Sequence, residues 1–367
     1  MAIRVALAGT GNAGRLALAQ LLTDPRFELT GVWVHSPERV GQDAGALAGL
    51  GAGTGVAATG DWDTLLAGAP DCVVYCAMGD NRLREAIADL RRLLSAGIDV
   101  VATAPTPLVF PWGSVAGKHL APLEEAAREN NASLFVSGVD PGFATDLIPL
   151  ALAGTCRRVD QIRCAEIADY ASYDGAVVMF DVMGFGSTLD KTPLLLVPGV
   201  LSRAWGPTLR LLATGLGLEL DEITEWYERE PATEAFDVAA GHIPAGGMAG
   251  LRFEIRGMRR GRVVLVVEHV TRLREGLRPD WRQPAQPGGS YRVEITGEPS
   301  YTVDICPAST QGDHNHAAIL AGVGRVVNAI PAVIAAPPGI RTTLDLPLVT
   351  GPGPATPKTT TTPRTRS

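Results

Sequence analysis

The sequence predicts an α/β protein in which a doubly wound parallel sheet comes first and a second, α+β domain follows. Three observations support this. Short β-branched runs alternate with helical stretches up to about residue 135, a glycine-rich turn follows the first run, and from about residue 146 longer strands succeed one another through hairpins. Strands that alternate with helices build parallel sheets, whereas strands joined by hairpins build antiparallel or mixed ones.

In the first domain, the apolar β-branched runs predict five strands, with amphipathic helices between them. The predicted strands are Ile3–Ala8, Leu29–Val34, Cys72–Cys76, Val100–Thr103 and Ser133–Ser137. The predicted helices are Ala13–Leu22, Asn81–Ala96 and Leu120–Asn130.

In the second domain, longer runs predict strands at Asp160–Ala168, Leu251–Met258, Arg262–Leu273, Tyr291–Thr296 and Tyr301–Cys306. Helices are expected around Leu209–Leu216 and Asp221–Glu230, and a tight turn at Arg259-Arg260-Gly261. A last helix, His316–Ala329, is expected to be ended by Pro331. We therefore divide the chain into residues 1–145, 146–312, a C-terminal helical segment 313–350 that returns to the first domain, and a Pro/Thr-rich tail 351–367 that should be disordered.

The charge, the apolar runs and the cysteine content indicate which partners and which cellular compartment to expect. The net charge of −7 argues against nucleic acid as the main partner, and no long uncharged apolar run predicts a membrane span. Five scattered cysteines without CxxC spacing fit reduced, buried thiols. We expect a cytoplasmic protein that binds small molecules, without nucleic acid or membrane as a partner.

The glycine-rich turn has the GxGxxG pattern of a dinucleotide-binding Rossmann domain. It comprises Gly9, Thr10, Gly11, Asn12, Ala13 and Gly14, between the first predicted strand and the first predicted helix. Gly9 would permit the tight turn, Gly11 the approach of a diphosphate, and Gly14 the close packing of helix and strand. Residues that follow other strands should line the same NAD(P) site: Ala77, Met78, Thr103, Ala104, Pro141 and Gly142.

The end of the second strand bears on the choice between NAD(H) and NADP(H). An NAD-selective site places an acid there to hold the ribose 2′-hydroxyl. This chain instead has His35 and Ser36, with Arg39 close behind, and these side chains could bond to a 2′-phosphate. The sequence predicts that NADP(H) is preferred or that both are accepted. The alternative is that Arg39 is a solvated surface charge and that Glu38 takes the acidic role.

Several longer motifs occur together with the glycine turn. They are VHSPERVGQDAG at 34–45, GVDPGFATDLIPL at 138–150, VNAIPAVIAAPPGI at 327–340 and LDLP at 344–347. Together they resemble the 2,4-diaminopentanoate dehydrogenase family and the related native amine dehydrogenases, whose N-terminal domain is similar to that of dihydrodipicolinate reductase. The resemblance implies an NAD(P)-dependent enzyme that interconverts an amine with an imine and then a ketone plus ammonia. It also implies a homodimer formed through the second domain.

One position departs from the pattern that the resemblance implies. Amine dehydrogenases of this type carry a glutamate after the fifth strand, shortly before a Tyr-Pro pair. Here Phe110-Pro111 matches that pair, but Thr106 and Pro107 stand where the carboxylate is expected. Without the carboxylate, amination with free ammonia should suffer most and reduction of a preformed imine least, because an iminium needs no acid during hydride transfer.

The remaining candidates for chemistry lie where the two domains meet. Asp140 follows the last strand of the first sheet and is the leading candidate for a catalytic carboxylate; Thr106 and Tyr173 are further candidates. A substrate pocket is predicted from Pro105, Tyr170, Met179, His242 and His269. For each, a role in a turn or in packing is the alternative. No metal site is predicted, because His314 and His316, two residues apart, would not share a helix face.

These features favour an NAD(P)H-dependent oxidoreductase that acts on C–N bonds of a small, partly hydrophobic amine, imine or ketone. Two alternatives stay open: a carbonyl or alcohol oxidoreductase that lacks the ammonia step, and a dinucleotide-binding sensor without turnover.

Overall fold

A computed structural model describes residues 2–51, 53–80 and 82–353. It shows the predicted α/β fold class, with one parallel sheet followed by a second, mixed sheet. Most of the predicted disordered tail, residues 354–367, lies outside the described part of the chain.

The first sheet has seven parallel strands in the order β15-β6-β5-β4-β1-β2-β3. The strands are β1 (Ile3–Ala8), β2 (Phe27–Trp33), β3 (Ala58–Thr59), β4 (Cys72–Tyr75), β5 (Asp99–Ala102), β6 (Ser133–Val136) and β15 (Gly339–Arg341). The helices between them are α1 (Asn12–Thr23), α2 (Ala44–Ala48), α3 (Trp62–Ala67), α4 (Leu83–Ser95) and α5 (Gly117–Glu129). The order β3-β2-β1-β4-β5-β6 is that of a Rossmann fold, which places the ligand at the carboxyl ends of the strands.

All five strands predicted for the first domain are present, within two residues at either end. The two that the sequence did not reveal, β3 and β15, are two and three residues long and carry no periodic pattern of their own. Each adds to an edge of a sheet that the longer strands have already defined.

The second sheet has six strands in the order β14-β13-β7-β12-β11-β8. They are β7 (Arg158–Asp169), β8 (Glu222–Pro231), β11 (Met248–Arg259), β12 (Arg262–Arg272), β13 (Gly289–Glu298) and β14 (Tyr301–Ile305), and a separate hairpin joins β9 (Phe236–Val238) to β10 (Gly241–Ile243). Two helices belong to this half, α6 (Leu147–Ala153) and α7 (Val200–Gly215). The tight turn at Arg259-Arg260-Gly261 connects β11 to β12, with positive φ at Arg260 and Gly261.

The helix predicted at Asp221–Glu230 is wrong, because this segment forms the edge strand β8. Ile223, Trp226 and Tyr227 have helical spacing, which favoured the prediction. In the structure β8 pairs with β11 along almost its whole length, and nearly all its residues are half-buried, as expected at a sheet edge. The long-range pairing overrides the local periodicity.

The C-terminal helix α8 (His314–Ile334) returns to the first domain, where it packs against α1 and β5. It does not end at Pro331 but continues to Ile334, because Ile330 and Val333 remain fully buried in the core. By length and apolar composition α8 could cross a membrane; half of its most apolar stretch is buried inside the protein. It is a core helix of the Rossmann half.

Candidate functional site

A cavity of about 440 Å³ lies between the Rossmann sheet and the second sheet, and we call it the interdomain cavity. On the Rossmann side it is lined by Asn12, Ala13, Thr103 and the segment 138–140. On the other side it is lined by residues of β7, β11, β12 and β13, by Trp205 of α7 and by the segment that follows β7. Helix α8 contributes Asn315, Ala318, Ile319, Gly322 and Val323 to its wall.

The glycine turn between β1 and α1 has the geometry of a dinucleotide cradle. Gly9 has φ +94°, which favours glycine, and a Cβ there would meet the backbone of Ala77 at 2.6 Å. A Cβ on Gly14 would lie 1.9 Å from the carbonyl oxygen of Gly9, so only glycine fits between strand and helix. A Cβ on Gly11 would meet nothing within 4 Å. The open space lies where the diphosphate of a nicotinamide dinucleotide would approach the N-terminus of α1.

The other predicted cofactor residues lie at the same edge of the sheet. His35 and Ser36 follow β2, Ala77 and Met78 follow β4, Thr103 and Ala104 follow β5, and Pro141 and Gly142 follow β6. The Arg39 guanidinium lies against the glycine turn, donating hydrogen bonds to the Thr10 carbonyl oxygen (2.6 Å) and hydroxyl (2.8 Å). Glu38 is exposed. Arg39 is therefore an integral part of the cradle.

The second sheet presents a row of four side chains to the cavity. Phe253, His269, Glu166 and Tyr291 are cross-strand neighbours on β11, β12, β7 and β13. Because strand residues two apart share a face, this row continues the apolar core face, in which Ile255, Val267, Cys164 and Val293 form the next row. The polar row lies at the end of that core that meets the Rossmann domain.

Within this row, His269 lies between two carboxylates. Its Nδ1 is 3.0 Å from Glu166 Oε2, and its Nε2 is 2.9 Å from Asp140 Oδ2, which comes from the Rossmann side. The imidazole ring stacks on Phe253 with 4.7 Å between ring centroids, and the edge of Trp205 packs against it at 4.6 Å. The His269 side chain is only 7% exposed, so the ring has one well-defined position between its partners.

The charges of this group follow from its burial and its partners. Burial alone would lower the pKa of His269, but the carboxylates of Asp140 and Glu166 outweigh it and raise that pKa to about 10. Burial would likewise raise the pKa of Glu166, but hydrogen bonding and attraction from His269 hold it below its usual value. His269 is therefore charged at neutral pH, and with two acids beside one base the formal charge of the group is −1.

Two tyrosines surround Glu166 and remain neutral. Burial, reinforced by the Glu166 carboxylate, raises the pKa of Tyr170 and of Tyr291 well above the usual range. The Tyr291 hydroxyl donates to Glu166 Oε1 at 3.3 Å. These phenols stabilise the carboxylate without adding charge.

The ligand-type atoms of Asp140, Glu166 and His269 lie within 4.8 Å of one another, a spacing that a metal ion could bridge. However, the two nitrogens of His269 face different carboxylates. An imidazolium placed between two carboxylates accounts for this arrangement.

Comparison with known proteins identifies the family of the chain. The profile of the 2,4-diaminopentanoate dehydrogenase C-terminal domain matches residues 143–355. An amine dehydrogenase from Streptomyces virginiae is 40% identical over 343 residues, covering 93% of this chain and 95% of the relative. The chain belongs to the 2,4-diaminopentanoate dehydrogenase family.

Two further similarities fit this family. The 2,4-diaminopentanoate dehydrogenase of Acetoanaerobium sticklandii is 25% identical over 295 residues, covering 78% of this chain and 76% of the relative. The solved structure of an amine dehydrogenase from Mycobacterium smegmatis has a TM-score of 0.77 at 24% identity, covering 95% of this chain and 97% of that one, and so shows the same fold. The predicted class is confirmed: the chain is an NAD(P)-dependent oxidoreductase that acts on C–N bonds.

The structure brings some predicted site residues to the interdomain cavity of this family member. Asp140, Tyr170, Tyr173 and His269 all line it. Sequence reasoning missed Glu166, Tyr291, Phe253 and Trp205. The first three lie in predicted strands. They could have been found as polar or aromatic residues at inward-facing positions of otherwise apolar strands.

Other predicted residues lie elsewhere, which corrects their assignment. His242 is on the β9–β10 hairpin, where 62% of its side chain is exposed and its Nδ1 lies 2.7 Å from Asp237 Oδ1. Met179 is fully buried in the second-domain core, and the cavity wall is formed by Val178, Val182 and Met183 instead. Pro105 is buried in the loop that follows β5 and is not among the residues that line the cavity.

Thr106, predicted as catalytic, is not among the residues that line the cavity. Its backbone N–H and its hydroxyl both donate to Asp80 Oδ1, at 2.7 and 2.8 Å. A carboxylate therefore does lie beside Thr106, but Asp80 is exposed and outside the residues that line the cavity. The acids of the cavity are Asp140 and Glu166.

Proposed function

We propose that the chain catalyses the reversible, NAD(P)-linked interconversion of a small amine with the corresponding imine or ketone, inside the interdomain cavity. One observation carries the proposal: the cavity joins the glycine cradle to the buried Asp140–His269–Glu166 group, whose net charge is −1. A poorly solvated negative charge favours a cationic ligand, and both an ammonium and an iminium carry one positive charge.

The cofactor would be held by the glycine turn and by the strand-end residues after β2, β4, β5 and β6. It would supply a hydride acceptor or donor for the substrate carbon. NADP(H) preference, or acceptance of both cofactors, is supported by the position of Arg39, which the Thr10 contacts hold at the cradle. A guanidinium fixed there can bond to a 2′-phosphate.

The substrate should carry a hydrophobic part. Apart from the charged row, the cavity is lined by the apolar side chains of Val178, Val182, Met183, Leu195 and Trp205. Tyr170 and Tyr173 lie close to each other on the same wall, with their ring centroids 5.5 Å apart. Apolar walls with a few convergent polar groups are typical of sites that orient a small organic molecule.

For the whole molecule, we propose a homodimer formed through the second domain and a cytoplasmic location. The face of the second sheet opposite the cavity carries an ion-pair network in which Glu268, 0% exposed, contacts Arg163, Arg252 and Arg282. In a twofold dimer the same face of a second copy would lie against this one. Sedimentation at micromolar concentration should give twice the mass of 38.5 kDa.

The proposal is tested by following NAD(P)H absorbance with three substrate sets: cyclic imines, ketones with ammonia, and ketones alone. Each set is assayed with NADPH and with NADH. Consumption with imines, or with ketones only when ammonia is present, supports the proposal. Consumption with ketones regardless of ammonia would establish the carbonyl oxidoreductase instead, for which the Tyr170 and Tyr173 hydroxyls offer donors to a developing alkoxide. Tight NADPH binding without turnover across the panel would point to a sensor.

A further inference from the structure

The Asp140 carboxylate belongs to the wall of the interdomain cavity, and its two oxygens lie beside different protein groups. Thr145 Oγ1 lies 3.4 Å from Oδ1, within the turn that follows β6. Oδ2 is buried, and although His269 Nε2 is 2.9 Å away, neither atom has an aligned hydrogen-bond partner. The contact of Oδ2 with His269 is therefore mainly electrostatic, and this carboxylate oxygen at the cavity wall retains the capacity to accept a hydrogen bond from a cationic nitrogen.

His269 fixes the position of that carboxylate and is itself fixed. Glu166 engages the far side of its ring, and Phe253 and Trp205 prevent it from tilting. The titratable groups that face the cluster are Glu166 of β7, Tyr170 after β7, Tyr291 of β13, Asp146 at the start of α6 and His314 of α8. Burial lowers the pKa of His314, which favours its neutral form, and burial raises the pKa of Asp146.

From this geometry we propose that Asp140 is the carboxylate that binds the substrate nitrogen and transfers its protons, and that His269 and Glu166 are its positioning pair. The proposal rests on the proposed function and adds residue roles to it. It also locates the acid–base group that the resemblance leads one to expect beside Thr106.

The reaction of a ketone with ammonia begins at the carbonyl carbon. The nitrogen lone pair forms the C–N bond, and the carbonyl π electrons move to oxygen, which takes a proton. Asp140 accepts a proton from the resulting ammonium nitrogen and donates it to the hydroxyl, which leaves as water while the nitrogen lone pair forms the C=N bond. Hydride from NAD(P)H then completes the reduction, so that ketone, ammonia, NAD(P)H and one proton give amine, NAD(P)⁺ and water.

The positioning pair has a separate task. An Asp140 carboxylate buried beside Glu166 alone would place two negative charges in a poorly solvated cavity, and one of them would take up a proton. The imidazolium between them offsets this repulsion and holds the Asp140 carboxylate in place at the cavity wall. Removal of either partner should therefore change the pH range of activity as well as the rate.

The test compares two reactions catalysed by the same preparation of each variant: ketone plus ammonia, which needs the transfers, and a cyclic imine, which is already an acceptor for hydride. In Asp140→Asn we expect kcat/KM for amination to fall by about 10²- to 10⁴-fold, the usual contribution of general acid–base catalysis, and imine reduction to fall by less than about tenfold. Because the ratio of the two rates does not depend on the folded fraction, poor folding cannot mimic this result. Asp160→Asn, at an exposed carboxylate that pairs with Arg158, serves as a matched control that keeps both rates.

For the positioning pair, the readout is the pH profile of amination. Glu166→Gln removes one of the two carboxylates that hold the His269 proton, so the alkaline limb of kcat/KM should move to lower pH relative to the wild type with the same substrate. A purely structural role for Glu166 would lower the rate without moving the limb.

Three results would overturn the proposal: equal losses of both reactions in Asp140→Asn, loss of amination in Asp80→Asn with Asp140→Asn active, or amination that EDTA abolishes and Zn²⁺ or Mn²⁺ restores. If the wild type catalyses neither reaction, it is the proposed function that fails, which is a different outcome.

Discussion

Gly11 allows the cofactor cradle to be tested without disturbing the fold. Its φ of −68° and ψ of −165° are open to any residue, and an added Cβ would meet no protein atom within 4 Å. Gly11→Ala should therefore fold with a stability within about 1 kcal/mol of the wild type, since a compatible Gly→Ala change stabilises by about 0.4–1 kcal/mol. The methyl group would instead occupy the approach of the diphosphate. If it costs one charge-assisted hydrogen bond of about 1.5–3 kcal/mol, Kd for NADPH rises about 10- to 100-fold.

Two control variants accompany Gly11→Ala. For each protein, Kd is measured by fluorescence titration with NADPH and Tm by thermal unfolding. Gly117→Ala also adds a Cβ in open space at the start of a helix, but at α5, and should change neither Kd nor Tm appreciably. Gly14→Ala places a Cβ 1.9 Å from Gly9 O and should lower Tm, since overpacking costs about 1–3 kcal/mol. A Gly11→Ala protein that binds NADPH as tightly as the wild type would refute the assignment of this turn to the diphosphate.

Two other predictions concern charge. Arg39→Ala should reduce the ratio of kcat/KM with NADPH to kcat/KM with NADH about 10- to 100-fold, because one guanidinium–phosphate interaction is lost. An unchanged ratio would show that Arg39 does not bind the 2′-phosphate. His269 should titrate with a midpoint of about 10 in NMR spectra of imidazole-labelled protein, so it should be charged at pH 8, and a midpoint at or below 6.5 would contradict the imidazolium bridge. Because that pKa is raised on folding, the stabilisation from His269 should be complete below about pH 6.5 and lost as the pH rises through about 10.

The Rossmann half was readable from the sequence because its signals are local. The run Ile3–Ala8, the glycine turn and the helix that follows are contiguous, and each feature supports the next. The same locality explains the error at β8, whose apolar residues have helical spacing. Only the pairing with β11, which lies beyond a hairpin in the chain, decides its structure.

Only part of the candidate site could be predicted from the sequence, because the rest depends on the register between paired strands. Asp140 could be found from its place after the last strand of the first sheet, a position where ligands bind in such folds. That His269 faces Glu166 depends on the pairing of β12 with β7, whose paired residues are more than 100 positions apart in the chain. A one-residue shift in that pairing would have turned the glutamate to the opposite face.

The geometry of the interdomain cavity also bears on the missing glutamate at the position of Thr106. In this chain Thr106 donates to the exposed Asp80, and neither residue is among those that line the cavity. The acids that reach the cavity come from the segment after β6 and from the inner face of the second sheet, and the imidazole of His269 lies between them. Such a group can replace a single glutamate only if the two domains hold their relative position, because Asp140 belongs to one and His269 to the other. Two hydrogen bonds join the domains: Asn12 Nδ2 donates to Asp174 Oδ1 at 3.2 Å, and Thr343 Oγ1 donates to the buried Asp146 at 2.8 Å. Because they help to hold that relative position, they should contribute to catalysis as well as to stability.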